Sequence, residues 1–128
     1  MALNIRLKPH EQIIIGGAVI RNGDRAADLF VENTVPILRR KDIMSESEAT
    51  TATRRAYFEI QLMYIDPERQ PIHAAMLKPL LHQIADTGSD QVAQTVANIS
   101  ALVQDGQLYQ ALKATRQLII LEDAQAIP

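Results

Sequence analysis

Ala56-Tyr57-Phe58-Glu59-Ile60-Gln61-Leu62-Met63-Tyr64 decides where the chain changes character. With a period of two, Phe58, Ile60, Leu62 and Tyr64 fall on one face and Tyr57, Glu59, Gln61 and Met63 on the other. That is the pattern of a strand with one buried side. The segment is therefore expected to be the last strand of a β-rich region. Two basic clusters lie upstream of it, Arg39-Arg40-Lys41 and Arg54-Arg55, and together they hold five of the thirteen basic residues. Tyr57, Phe58 and Tyr64, three of the five aromatics, follow directly. If the strand ending at Lys41 pairs antiparallel with the strand starting near Ala56, both clusters flank one connection and meet at one end of the sheet. Strand alternation puts Arg39 and Lys41 on a shared face and turns Arg40 away.

Further toward the N-terminus the period of two continues. Leu3, Ile5 and Leu7 alternate with Asn4 and Arg6, and Pro9 ends that run because it lacks the amide a ladder needs. Ile13-Ile14-Ile15 is β-branched and leads into Gly16-Gly17, a site for a bend or bulge. Ala18-Val19-Ile20-Arg21 runs into Asn22-Gly23, the strongest short-range hairpin signal, with Leu29-Phe30-Val31 as the expected return strand. Pro36 to Lys41 reads as a further short strand, so five or six strands are expected over residues 1–66. Ser45-x-x-Glu48 offers a capping box for a brief helical turn, and the three threonines that follow argue against a long helix there.

Beyond Asp66-Pro67 the period lengthens. Ile72, Met76, Leu80 and Ile84 recur every four residues with Leu77 and Leu81 beside them, a helical stripe that Pro79 should kink or divide. Ser89 or Asp90 can cap the next helix, which carries Val92, Val96, Ile99 and Val103 and stops at Gly106. A last helix is expected from about Leu108 to Glu122, with Leu108, Leu112, Thr115 and Ile119 inward. The fold class is thus α+β: an antiparallel β-rich half over 1–66, as a small sheet or sandwich, then a helical region over 67–128 with three or four short helices, packed as a single domain.

Composition narrows the function. With 128 residues, 47% apolar and 22% charged, the chain has the make-up of one folded domain. The absence of cysteine excludes disulfides, thiolate catalysis and sulfur-ligated metals, and suits a reducing cytoplasm. Ile13 to Ile20, the longest apolar run, is far short of the ~20 residues a membrane span needs, and the N-terminal residues do not read as a signal peptide. Residues 1–66 carry nine Lys/Arg against nine Asp/Glu, and residues 67–128 four against six. Any anion-binding surface must be a local patch. No phosphate loop, His-Glu-x-x-His or Gly-x-Ser-x-Gly occurs, and His10, His73 and His82 lack the spacing of a helical metal pair. The sequence reads as a binding protein that needs no cofactor, rather than an enzyme. Arg39, Lys41, Arg54 and Arg55 could hold phosphates and Tyr57 could stack on a base, which together would make a single-stranded RNA surface. The competing reading is a solvated sheet end, countered by Asp42, Glu46 and Glu48.

At these residues the sequence resembles the FlbT family of flagellar regulators. Leu38-Arg39, Lys41-Asp42-Ile43-Met44, Thr50-Thr51, Arg54-Arg55-Ala56-Tyr57-Phe58 and Met63-Tyr64 carry the likeness, with Leu7-Lys8-Pro9, Glu11, Gly17-Ala18-Val19-Ile20 and Asn22-Gly23-Asp24-Arg25 upstream. His10 departs from the family pattern where glycine is expected, and Gly16 where a polar residue is expected. The resemblance implies a cytoplasmic post-transcriptional regulator that associates with the 5′ untranslated region of flagellin messenger RNA and promotes its decay, although some members act positively on flagellin. Its alternative is a protein-binding adaptor whose helical half docks flagellin or another flagellar regulator. Self-association into a homo-oligomer is also expected, because sheet edges and apolar helix stripes pair readily.

Overall fold

The structure is a computed structural model that describes residues 3–126, and it divides between Ile43 and Met44 into two compact units. The first holds all five strands found among the described residues: β1 (Leu3–Leu7), β2 (Gln12–Ile15), β3 (Ala18–Arg21), β4 (Ala27–Val31) and β5 (Ile37–Arg39). β1 pairs antiparallel with β4, Ile5 opposite Leu29. β2 is the centre of a second antiparallel sheet in the order β3-β2-β5, with Ile13 between Ile20 and Arg39. The expected alternation places Ile5 and Leu7 inward, and with Ile13 they form a core onto which Ile15, Leu29, Val31 and Ile37 pack. Both small sheets thus close on one apolar centre.

The hairpin lies elsewhere than the sequence suggests. Gly16 and Gly17 both take positive φ, +56° and +86°, which is what a two-residue turn between paired strands demands, and they join β2 to β3. Neither Asn22 nor Gly23 has positive φ, and β3 and β4 belong to different sheets. Asn22 instead acts as a brace: its Nδ2 donates to the Lys8 and Arg25 carbonyls at 2.8 and 2.9 Å, while the Gly23 carbonyl accepts the His10 amide at 2.8 Å. Competition from these side-chain bonds to backbone overrides the local turn preference.

The second unit is helical: α1 (Ala52–Ile65), α2 (Gln70–Thr87), α3 (Asp90–Gln104) and α4 (Leu108–Ala126). α1 packs against α2 and α4, and α3 against the same two, closing a four-helix ring. The α+β class and the helical bundle agree with the sequence reading, but the expected strand from Ala56 to Tyr64 is helix α1. Its buried residues, Thr53, Ala56, Tyr57, Ile60 and Gln61 among them, recur every three or four positions, which is a helical stripe. Three of those inward positions, Thr53, Tyr57 and Gln61, carry polar groups, so the stripe is broken to the eye. Two of them are answered from a distance: Gln61 exchanges hydrogen bonds with the Met44 amide and carbonyl at 2.8 and 2.9 Å, and Arg116 donates to the Tyr57 hydroxyl at 3.1 Å. Thr51 caps α1 by accepting the Arg54 amide. The Ser45–Glu48 capping box forms as expected over a single 3-10 turn, Ser89 caps α3, and Gly106 ends it with φ +79°. α2 runs unbroken through Pro79.

His10, where the family pattern leads one to expect glycine, has φ +63°. A side chain in that region costs roughly 1–2 kcal/mol, and glycine returns about 0.5–1 kcal/mol of that through its greater freedom in the unfolded chain. His10→Gly is therefore expected to raise stability by about 0.5 kcal/mol, read as a higher urea midpoint at unchanged slope.

Candidate functional site

Where β1, β3 and β5 end, the first unit opens a groove of about 870 Å³ lined by Arg6, Lys8, Pro9, His10, Glu11, Arg21, Arg39, Arg40 and Lys41. Six of the chain's thirteen basic residues therefore face one concavity, with a single carboxylate among them. They arrive from separate segments: Arg6 from β1, Lys8 from the turn that follows, Arg21 from the end of β3, and Arg39 to Lys41 from the end of β5. Arg40 joins its neighbours because β5 stops at Arg39 and residues 40–42 form a 3-10 turn. Strand alternation, which sent Arg40 to the opposite face, no longer applies there.

Glu11 organises this wall. Its Oε1 accepts the Lys8 amide at 2.8 Å and its Oε2 meets Arg39 Nη2 at 3.3 Å, while the same nitrogen donates to the Arg6 carbonyl at 2.8 Å. The Lys8 amide, seconded by the Arg39 guanidinium, holds the Glu11 carboxyl below its ordinary value against the opposing effect of desolvation. Arg6 lies 2.9 Å from Asp28 across the β1–β4 ladder. Lys8, Arg21 and Arg40 form no salt bridge among the described residues, Lys8 adding only a longer-range attraction to Glu11. Multiple guanidinium and ammonium groups converging on one concave site suit phosphate, which guanidinium binds bidentately.

Of the five residues singled out in the sequence, Arg39 and Lys41 line this groove. Arg54, Arg55 and Tyr57 lie on α1 in the other unit, and the β-ladder expected to join the two clusters does not exist, since β5 pairs with β2. Tyr57 is 1% exposed, its ring in the helical core beneath the Arg116 guanidinium, so it has no face to offer a base. Arg54 is committed to α4: it reaches Glu122 at 2.9 Å and both oxygens of Asp123 at 2.6 and 2.8 Å, and the Asp123 hydrogen bond raises its pKa. Thr51 also donates to Glu122, tying the start of α1 to the end of α4. Arg55 is exposed on α1. Arg6, Lys8 and Arg21 escaped the sequence reading because they are single cations in separate segments, and Arg40 because strand alternation turned it away. Their convergence depends on strand pairing.

Two outcomes are expected. Because the Glu11 pKa is depressed, its contribution to stability is complete above the ordinary glutamate value of about 4.3 and fades as pH falls below it. Glu11→Gln should flatten that acid limb of a stability-versus-pH curve. Arg54→Ala should destabilise the helical unit by up to about 1 kcal/mol, since it removes the guanidinium from two partly exposed carboxylates, yet leave groove binding unchanged. Thermal unfolding and the binding titration below measure the two effects.

Comparison with known proteins bears on the whole chain. The family model described as "Flagellar protein FlbT" matches residues 3–125. The probable flagellum biosynthesis repressor FlbT 1 of Bradyrhizobium diazoefficiens is 40% identical over 124 residues, covering 96% of this chain and 84% of its own. The corresponding Caulobacter sp. protein is 38% identical over 126 residues, covering 96% and 95%. The flagellum biosynthesis repressor FlbT of Caulobacter vibrioides is 35% identical over 124 residues, covering 96% and 88%. No solved structure matches. The resemblance noted in the sequence is thereby extended over both units, and the chain belongs to the FlbT family of flagellar proteins.

Proposed function

We propose that this protein regulates flagellum biogenesis after transcription, as a repressor that associates with the 5′ untranslated region of flagellin messenger RNA and promotes its degradation. The observation that carries the reading is the groove, where six basic residues surround one carboxylate in a chain whose net charge is −2. Residues 1–43 hold seven Lys/Arg against five Asp/Glu, while residues 44–128 hold six against ten. Positive potential is thus concentrated in the β unit, and a polyanion would be steered there rather than to the helices. Arg39 and Lys41 keep the phosphate-binding role given them by sequence. Arg6, Lys8, Arg21 and Arg40 extend it, and Tyr57 and Arg54 give way to structural duties.

A second reading, docking of flagellin or another flagellar regulator by the helical unit, is favoured by one feature. Leu77, Leu81, Val96 and Val103 line a largely apolar groove of about 550 Å³ between α2 and α3. The two readings differ in their response to salt. Titration of the full chain with flagellin leader RNA should give a log–log salt slope of about −2 to −3, as ~3–4 phosphate contacts on a single strand require. Arg39→Ala combined with Arg40→Ala should reduce that slope by about 1 or more and weaken binding on all sequences alike. A flat salt response, or full binding by the double variant, would discard the RNA reading in favour of protein docking.

A further inference from the structure

A groove that follows an ordinary single strand combines a basic track with stacking platforms, because bases supply much of the binding. This groove has the charge without the platforms. No tyrosine, phenylalanine or tryptophan lines it, and the His10 imidazole is its single aromatic ring. Its cations also enclose a concavity instead of marking out a line. Arg39 and Arg6 are fixed by Glu11 and Asp28, the Arg39 nitrogen being further held by the Arg6 carbonyl, so part of the wall is set before any ligand arrives. Lys8, Arg21 and Arg40 form no salt bridge among the described residues, Lys8 adding only a longer-range attraction to Glu11, and are left to meet an anion. The volume of about 870 Å³ is that of a nucleotide site, within the few hundred to about a thousand Å³ of small-ligand pockets.

Charge density decides what fits. An RNA backbone presents one negative charge per nucleotide, whereas a terminal triphosphate packs roughly three to four into the space of one. Six cations drawn together in one concavity repel one another, and a compact polyanion offsets that repulsion more fully than a strand whose charges are spaced one per nucleotide. Building on the RNA reading above, we propose that the groove captures the 5′-terminal triphosphate of the transcript, so that the protein recognises the end of an untranslated leader by its charge and not by its bases. The bases beyond the first nucleotide then lie outside the groove, and sequence preference has to come from another part of the molecule or from a partner.

The test uses the full chain and one leader RNA prepared with a 5′-triphosphate, a 5′-monophosphate or a 5′-hydroxyl end, with free ATP as a fourth ligand. Affinity is expected to fall in that order, the triphosphate binding at least about ten-fold tighter than the hydroxyl. Arg21→Ala combined with Arg40→Ala should shrink the ratio to within about two-fold. Arg69→Ala, an exposed cation of the helical unit, should leave it intact. Equal binding of the three RNA ends would overturn the inference while leaving RNA association standing, and absence of binding by all three would remove both. If free ATP bound as tightly as the triphosphate RNA, the ligand would be a free nucleotide and the assignment to the transcript end would fail.

Discussion

Glu11 is the tie on which the β unit depends. A three-residue cluster of fully buried aliphatics is a small centre for two sheets, and a unit of this size without disulfides has little apolar burial to spare. The Glu11 carboxylate closes the turn after β1 through the Lys8 amide and draws in Arg39 from β5, so it links the two-stranded sheet's exit to the far strand of the three-stranded sheet. Asn22 works on the same turn from the other side, reaching the Lys8 and Arg25 carbonyls. Between them these two side chains satisfy backbone groups that the turn would otherwise leave to solvent.

How much of this was legible in the sequence depended on whether the relevant contact was local. Strand periodicity in Leu3–Leu7, the Ser45–Glu48 and Ser89 caps and the Gly106 stop involve neighbours in the chain, and each was readable from spacing alone. Helix α1 was not. Its inward stripe includes Gln61 and Tyr57, whose polar atoms are tolerated only because Met44 and Arg116, 17 and 59 residues away, answer them. Without those partners in view, the same residues alternate well enough to pass for a strand. Asn22-Gly23 misled for a related reason: its brace spans 14 residues to Lys8.

The same distinction separates the two basic clusters. Arg54-Arg55 catches the eye because the residues are adjacent, yet Arg54 is spent on Glu122 and Asp123 from the opposite end of the helical unit. The groove's cations are scattered along 36 positions, from Arg6 to Lys41, and become a site only when β1, β3 and β5 end together. Adjacency in sequence measured conspicuousness, whereas convergence in the fold measures the field an anion would meet.

That convergence has a cost that bears on how the site can work. Like charges crowded into a concavity destabilise the unit that holds them, and the β unit has little core with which to resist. Glu11 lowers the cost by countering Arg39 while Lys8, Arg21 and Arg40 form no salt bridge among the described residues. A second carboxylate in the groove would make the unit more stable and the site weaker; removing Glu11 would do the reverse only if the turn survived without it. The single acid among six bases is thus a compromise between holding the wall in place and keeping its field positive, and any anion that bound there would add to the stability of the unit.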